Sequence, residues 1–364
     1  MIAAFTKPLI AWSLSLIICG TSIQAQDNTQ GKEKGLKDYY AEFFPVGASI
    51  SPRDVSGPEA ALILKQFSSL TAENMMKMGP IHPEEDSYNW EPADQIANFA
   101  TQNGLLMRGH TLCWHNQTPR WLFTDDDGAE VTKDVLLARL KEHITAVVSR
   151  YKGKVYAWDV VNEAIDDNPG NFLRNSKWYQ IGGEEFIAKA FQYAHEADPN
   201  ALLFYNDYNA VKPGKRDNIY RLLSSLIEAK VPVHGVGIQG HWSVYEPSEK
   251  DLRDAIEKYA SLGLQIHITE LDVSIYPKEG RREPRESDVA EFTPELEKLQ
   301  RDKYNMLFRV FRDYKDSITS VTFWNVSDKH SWLDNFPVRG RKDFPLLFDQ
   351  QLQPKKAFWE VVKF

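Results

Sequence analysis

Cysteine is almost missing from this 364-residue chain, which has only Cys19 and Cys113. If Cys19 leaves with an N-terminal signal, Cys113 stands alone as a buried structural thiol. No intrachain disulfide is then possible, and the fold must rest on its own core. There is no Cys cluster and no HExxH, so the sequence offers no support for a metal. A Gly-rich phosphate loop is missing too. The stretch "GASISPRDVSG" has neither G-x-G-x-x-G nor P-loop spacing, which removes the main support for a dinucleotide site. No cofactor is expected. Positive charge is in deficit, with a net charge of -8, and this argues against nucleic acid as a partner. Low-complexity tracts and short repeats are absent.

The N-terminus reads as an export signal. Lys7 precedes an apolar run at 9–19 that is too short to span a membrane, and small and polar residues follow it. The expected division is a signal peptide at 1–25, a polar segment at 26–38 and one catalytic domain at 39–364. The product would be periplasmic or secreted, with lipid attachment at Cys19 as the alternative, since "LIIC" resembles a lipoprotein box.

What the chain has in quantity is tryptophan, ten in all. That number hints at a surface that stacks flat apolar rings. Eight mostly apolar runs fall at 45–50, 68–74, 105–114, 155–164, 202–209, 235–242, 265–274 and 318–328, as expected for strands covered on both faces. Amphipathic segments alternate with them. In 133–153, Leu136, Leu140, Ile144, Val147 and Tyr151 form one stripe. Segment 248–263 opens on Ser248 as N-cap and closes at Gly263. Eight such units predict a single (β/α)8 TIM barrel of the α/β class.

In such a barrel, functional groups sit at the C-terminal strand ends. Polar residues collect there: Glu73-Asn74, His110, Trp114-His115, Asn162-Glu163, Asn206 with Tyr208, Gln239 with His241, Glu270 with Asp272, and Trp324. Alternation along a strand puts Asp159 on the same face as Glu163, one layer deeper. A buried carboxylate needs a partner, and Arg108, two residues before His110, is the candidate, directly or through water. Two carboxylates from strands four and seven suit glycoside hydrolysis, in which one acid protonates the departing oxygen and the other attacks or activates water.

The blocks "LTAENMMKMGPIHPEEDSYNWEPAD", "RGHTLCWHNQTPRW", "WDVVNEAIDD", "FYNDYN", "GVGIQGHW", "ITELDVS" and "WNVSDKHSWL" make the resemblance specific. In their order the chain resembles a glycoside hydrolase family 10 endo-β-1,4-xylanase. The resemblance implies Glu163 as acid/base, with Asn162 holding the sugar 2-hydroxyl. It implies Glu270 as the nucleophile of a covalent glycosyl-enzyme, His241 hydrogen-bonded to it, and Asp272 fixing the imidazole. Retention of configuration would place the two carboxylates about 5–5.5 Å apart. Glu73, Asn74, Lys77, His110, Trp114 and Gln239 would contact xylose units on the non-reducing side. Trp324 and Trp332 would cover the sugar at the cleavage point and its neighbour, and Tyr208 would be a stacking platform on the reducing side. The partners implied are xylan and xylo-oligosaccharides, acted on by a monomer without a protein partner.

Other readings stay open on the residues alone. A barrel of related design could cut another β-glycan, such as a glucan. A catalytically dead binding barrel would have lost a carboxylate, and here both are present. The loop at 277–293 is dense in Arg and Glu and reads as a solvated, mobile loop. The alternative is that Arg281, Arg282 or Arg285 meets a glucuronate branch. Asp166 and Asp167 read as solvated loop residues.

Overall fold

The computed structural model describes residues 33–364 except 286, 287, 289 and 290. The expected signal peptide, Cys19 and most of the expected polar segment lie outside the described residues. The compact fold starts at Lys34, and Leu36, inside the expected polar N-terminal segment at 26–38, is fully buried. Its N–H donates to Gln66 Oε1 at 2.9 Å.

Eight parallel strands form the barrel: β1 (Val46–Ile50), β2 (Ser69–Ala72), β3 (Leu106–Trp114), β4 (Ala157–Asn162), β5 (Leu202–Asp207), β6 (Gly235–Ile238), β7 (Gln265–Ser274) and β8 (Ile318–Phe323). Each pairs with its sequence neighbour, and β1 pairing with β8 closes the ring. A three-residue piece, His241–Ser243, continues the line of β6 after a break at Gln239-Gly240 and also pairs with β7. Among the described residues each strand is followed by a helix that completes its unit: α1 (Gly57–Gln66), α2 (Glu91–Gln102), α3 (Lys133–Arg150), α4 (Glu185–Ala197), α5 (Pro213–Glu228), α6 (Glu249–Ala260), α7 (Pro294–Asp313) and α8 (Lys356–Val361), with short helical pieces such as Lys177–Gly182 in the loops. The (β/α)8 TIM barrel expected from the eight alternating units is the observed fold.

Local chemistry explains the boundaries. The α3 stripe expected from the sequence is buried at every position. Thr132 and Ser248 cap α3 and α6 by accepting the N–H three residues on. Helix α6 ends at Ala260, earlier than Gly263, which instead gives the exit turn its positive φ of 73°. Among the described residues no helix is long and apolar enough to cross a membrane.

The barrel interior is polar below the catalytic face. Arg108 and Asp159 are both fully buried, and Arg108 Nη2 donates to Asp159 Oδ1 at 2.6 Å, so the interaction expected directly or through water is a direct one. Arg108 Nε also donates to His267 Nδ1 at 3.1 Å. Burial first, and the Arg108 charge second, push the His267 pKa well down, so its ring is a neutral acceptor. Asp159 Oδ2 lies 2.9 Å from His110 Nδ1. The charge taken into the core is thus paired, and the pair reaches upward to a residue of the cleft.

Candidate active site

Simple alternation does not by itself aim the two carboxylates. β4 carries one extra residue against β5 between Asp159 and Val161. β7 is irregular against β8 between Ile268 and Leu271. Such bulges re-aim side chains. At the end of β4 both Asn162 and Glu163 therefore reach the cleft, and on β7 both Thr269 and Glu270 reach Asn206. Glu163 also has a left-handed backbone, φ 58°. It stands above the fully buried Asp159, as expected, but through a bulge and a turned backbone rather than through parity.

Three donors hold the Glu163 carboxylate. Trp114 Nε1 donates to Oε2 at 2.8 Å, while Gln239 Nε2 at 2.9 Å and Asn162 Nδ2 at 3.2 Å donate to Oε1. Trp114 and Gln239, expected as sugar contacts, thus also position a carboxylate. Glu270 Oε1 accepts from Asn206 Nδ2 at 2.7 Å, and the same amide nitrogen lies 2.9 Å from Asn162 Oδ1. A chain of amides therefore links the two acids.

On its other side, Glu270 Oε2 lies 3.0 Å from His241 Nε2, and His241 Nδ1 lies 2.8 Å from Asp272 Oδ2. Burial would push the Glu270 carboxyl up. The hydrogen bond from His241, with the charges of His110, His241 and Lys77, outweighs it and holds the pKa at about 2. Burial likewise opposes the charged form of His241, but Asp272 and Glu270 on its two nitrogens raise it to about 10. An ionised carboxylate, an imidazolium and a second carboxylate stand in line. Trp332 Nε1 also donates to Asp272 Oδ2, at 2.9 Å.

The remaining expected residues converge on the same cleft. Lys77 is buried, so it is no solvated surface lysine. Its Nζ donates to Asn74 Oδ1 at 3.0 Å and sits 4.9 Å from the Trp114 ring and 5.7 Å from the Trp324 ring. Burial lowers its pKa against the pull of Glu270, Glu73 and Glu163. Glu73 Oε2 accepts from Ser51 Oγ at 2.9 Å. The Trp324 ring stands edge-on to His110 at 5.2 Å and to His241 at 6.2 Å. Tyr208 stands apart from the two carboxylates: its hydroxyl donates to Asp167 and accepts from Arg174, and Lys215 Nζ lies 3.6 Å from its ring centre.

Three residues went unassigned in the sequence. Asn206 had a signal, its strand-end position, but no role. Arg174 and Lys215 had none, since neither lies at a strand end. Asp167 is the exposed loop residue expected, with a side chain 46% exposed, and it also takes hydrogen bonds from Lys215, Arg174 and Tyr208. In the 277–293 loop, Arg282 pairs with Glu279 and Asp288, and Arg341 joins the same acids. Arg281 packs 5.1 Å from the Phe336 ring, which stacks on Trp332. Among the described residues no group of three His, Cys, Asp or Glu side chains is placed to hold a metal ion.

A parallel eight-stranded barrel that presents two buried, differently held carboxylates, one just past the fourth strand and one within the seventh, beside tryptophan rings, has the architecture of a glycoside hydrolase. A profile described as Glycosyl hydrolase family 10 matches residues 35–364, and the chain belongs to that family. It is 50% identical over 327 residues to endo-1,4-beta-xylanase B of Paenibacillus barcinonensis, covering 90% of this chain and 97% of that one. It is 49% identical over 329 residues to an endo-1,4-beta-xylanase of Geobacillus stearothermophilus, covering 90% and 97%. Among solved structures, the Paenibacillus barcinonensis xylanase bound to a conduramine derivative superposes with a TM-score of 0.88 at 49% identity, over 91% of this chain and 99% of that one.

Proposed function

We propose that this chain is an endo-1,4-β-xylanase that cuts internal xylosidic bonds of xylan with retention, by double displacement. The observation that carries the mechanism is the asymmetry of the two acids. Glu270 is held ionised by His241 and Asp272, while Glu163 is held by an indole and two amides and by no cation within hydrogen-bonding distance.

In the first step Glu270 attacks the anomeric carbon, the glycosidic C–O bond breaks, and Glu163 passes its proton to the departing oxygen. In the second, Glu163 takes a proton from water, the water oxygen bonds to the anomeric carbon, and Glu270 leaves as carboxylate. The tryptophans take the apolar faces of xylose, and Glu73, Asn74 and Lys77 take its hydroxyl edges. Xylose lacks the hydroxymethyl of glucose, so a tight Trp324/Trp332 wall disfavours glucose by about 1–3 kcal/mol. The enzyme works as a monomer, exported by the signal at 1–25.

Digestion of xylan and of carboxymethylcellulose, with proton NMR of the first-formed anomer, tests this reading. Faster release from xylan with β-products is the expected result. Preference for the glucan, or α-products, would overturn it.

A further inference from the structure

We propose that Arg174 is a positioning residue for proton transfer, acting through the backbone of Glu163 rather than on its carboxylate. The inference rests on Glu163 being the acid/base. A left-handed backbone is unfavourable for any residue with a Cβ and persists only where its surroundings hold it. Glu163, at φ 58°, is such a residue. Its N–H donates to Asn206 O at 2.9 Å, and its carbonyl accepts from Arg174 Nε at 2.9 Å.

Arg174 then follows the chain onward. Its own N–H donates to Ala164 O at 2.7 Å, and its Nη2 reaches Ile165 O at 3.4 Å. One residue therefore satisfies three successive carbonyls just where the strand turns. The guanidinium is itself fixed, with Nη2 donating to Tyr208 Oη at 2.8 Å and pairing with Asp167 at 3.3 Å. Only an arginine offers a fixed fork able to serve backbone, tyrosine and carboxylate together. The platform expected for the leaving sugar, Tyr208, and the proton donor expected for its oxygen thus share one anchor.

A loop staple and a positioning residue differ in what their loss does to catalysis. Proton donation matters most when the leaving group is poor. The test compares kcat/KM for phenyl and dinitrophenyl β-xylobiosides in the wild type, Glu163→Ala, Arg174→Ala and Arg174→Lys. For Arg174→Ala we expect a loss of about tenfold or more on the phenyl substrate and under about threefold on the dinitrophenyl one, part of the roughly 10²–10⁴-fold that general acid catalysis supplies. Arg174→Lys, which keeps a donor, should show the same pattern with a smaller loss, and it serves alone if the alanine variant does not fold. Equal losses on both substrates, or none, beside a leaving-group-dependent loss in Glu163→Ala, would overturn the role of Arg174 alone. A Glu163→Ala enzyme whose loss ignores the leaving group would overturn both this role and the acid/base assignment.

Discussion

At the scale of single residues, the cleft holds Glu270 charged beside the His241 imidazolium and holds Glu163 among an indole and two amides. Glu270→Gln keeps the shape but removes the charge proposed to attack. A loss of at least about 10⁴-fold in kcat/KM is expected, the order seen when a covalent nucleophile is removed, and initial rates on xylan check it. The His241 imidazolium gives a second prediction. Its pKa is raised from 6.5 to about 10, so its contribution to stability is full below about pH 6.5 and is lost as pH rises through about 10. Glu270 is lowered from 4.5 to about 2, so its contribution is present above about pH 4.5 and is lost as pH falls through about 2. Asp272→Asn removes one carboxylate from His241. Its ring should then titrate at least about one unit lower in an NMR pH series. An unchanged midpoint would show that Asp272 does not set the charge.

At the scale of elements, strands clear space for the side chains they support. A Cβ on Gly237 would lie 2.2 Å from Asn206 Oδ1 and 2.9 Å from Thr269 Cγ2. The glycine of β6 therefore makes room for the amide that holds Glu270. Gly237→Ala should lose about 1–3 kcal/mol of stability, as overpacking does, and should lower kcat as Asn206 shifts. Urea unfolding and initial rates measure the two separately. The Arg108–Asp159 pair gives a sharper case. Arg108→Met leaves the buried Asp159 with His110 beside it and no guanidinium, and about 3–5 kcal/mol of stability should go with it, read by urea unfolding.

Both features show what the sequence carried. Strand and helix positions were legible because apolar runs and stripes obey fixed periods. The Asp159–Arg108 contact followed from the cost of a buried charge. The aim of Glu163 and Glu270 was not legible. It depends on extra residues in β4 and β7 whose effect exists only against the register of a neighbouring strand. Arg174 was invisible for a related reason, since a loop residue's contacts are set by where the loop folds back.

At the scale of the whole molecule, one barrel carries the entire site, so residues before Lys34 should be dispensable for catalysis. A chain starting at Lys34 is expected to match the full chain in kcat/KM on xylan. If the proposed signal at 1–25 is cleaved on export, the full chain should appear outside the inner membrane with Gln26 as its first residue, which mass spectrometry reads. A diacylglyceryl-modified Cys19 there would replace the signal-peptide reading.

The left-handed Glu163 sets natural selection two opposed targets. The backbone at that position suits glycine or asparagine, and a glutamate there costs about 1–2 kcal/mol. Drift that rewarded only a sturdier barrel would find this position early and silence the enzyme while leaving its fold intact. Copies of this gene released from the need to digest xylan should therefore lose the proposed acid before they lose the barrel.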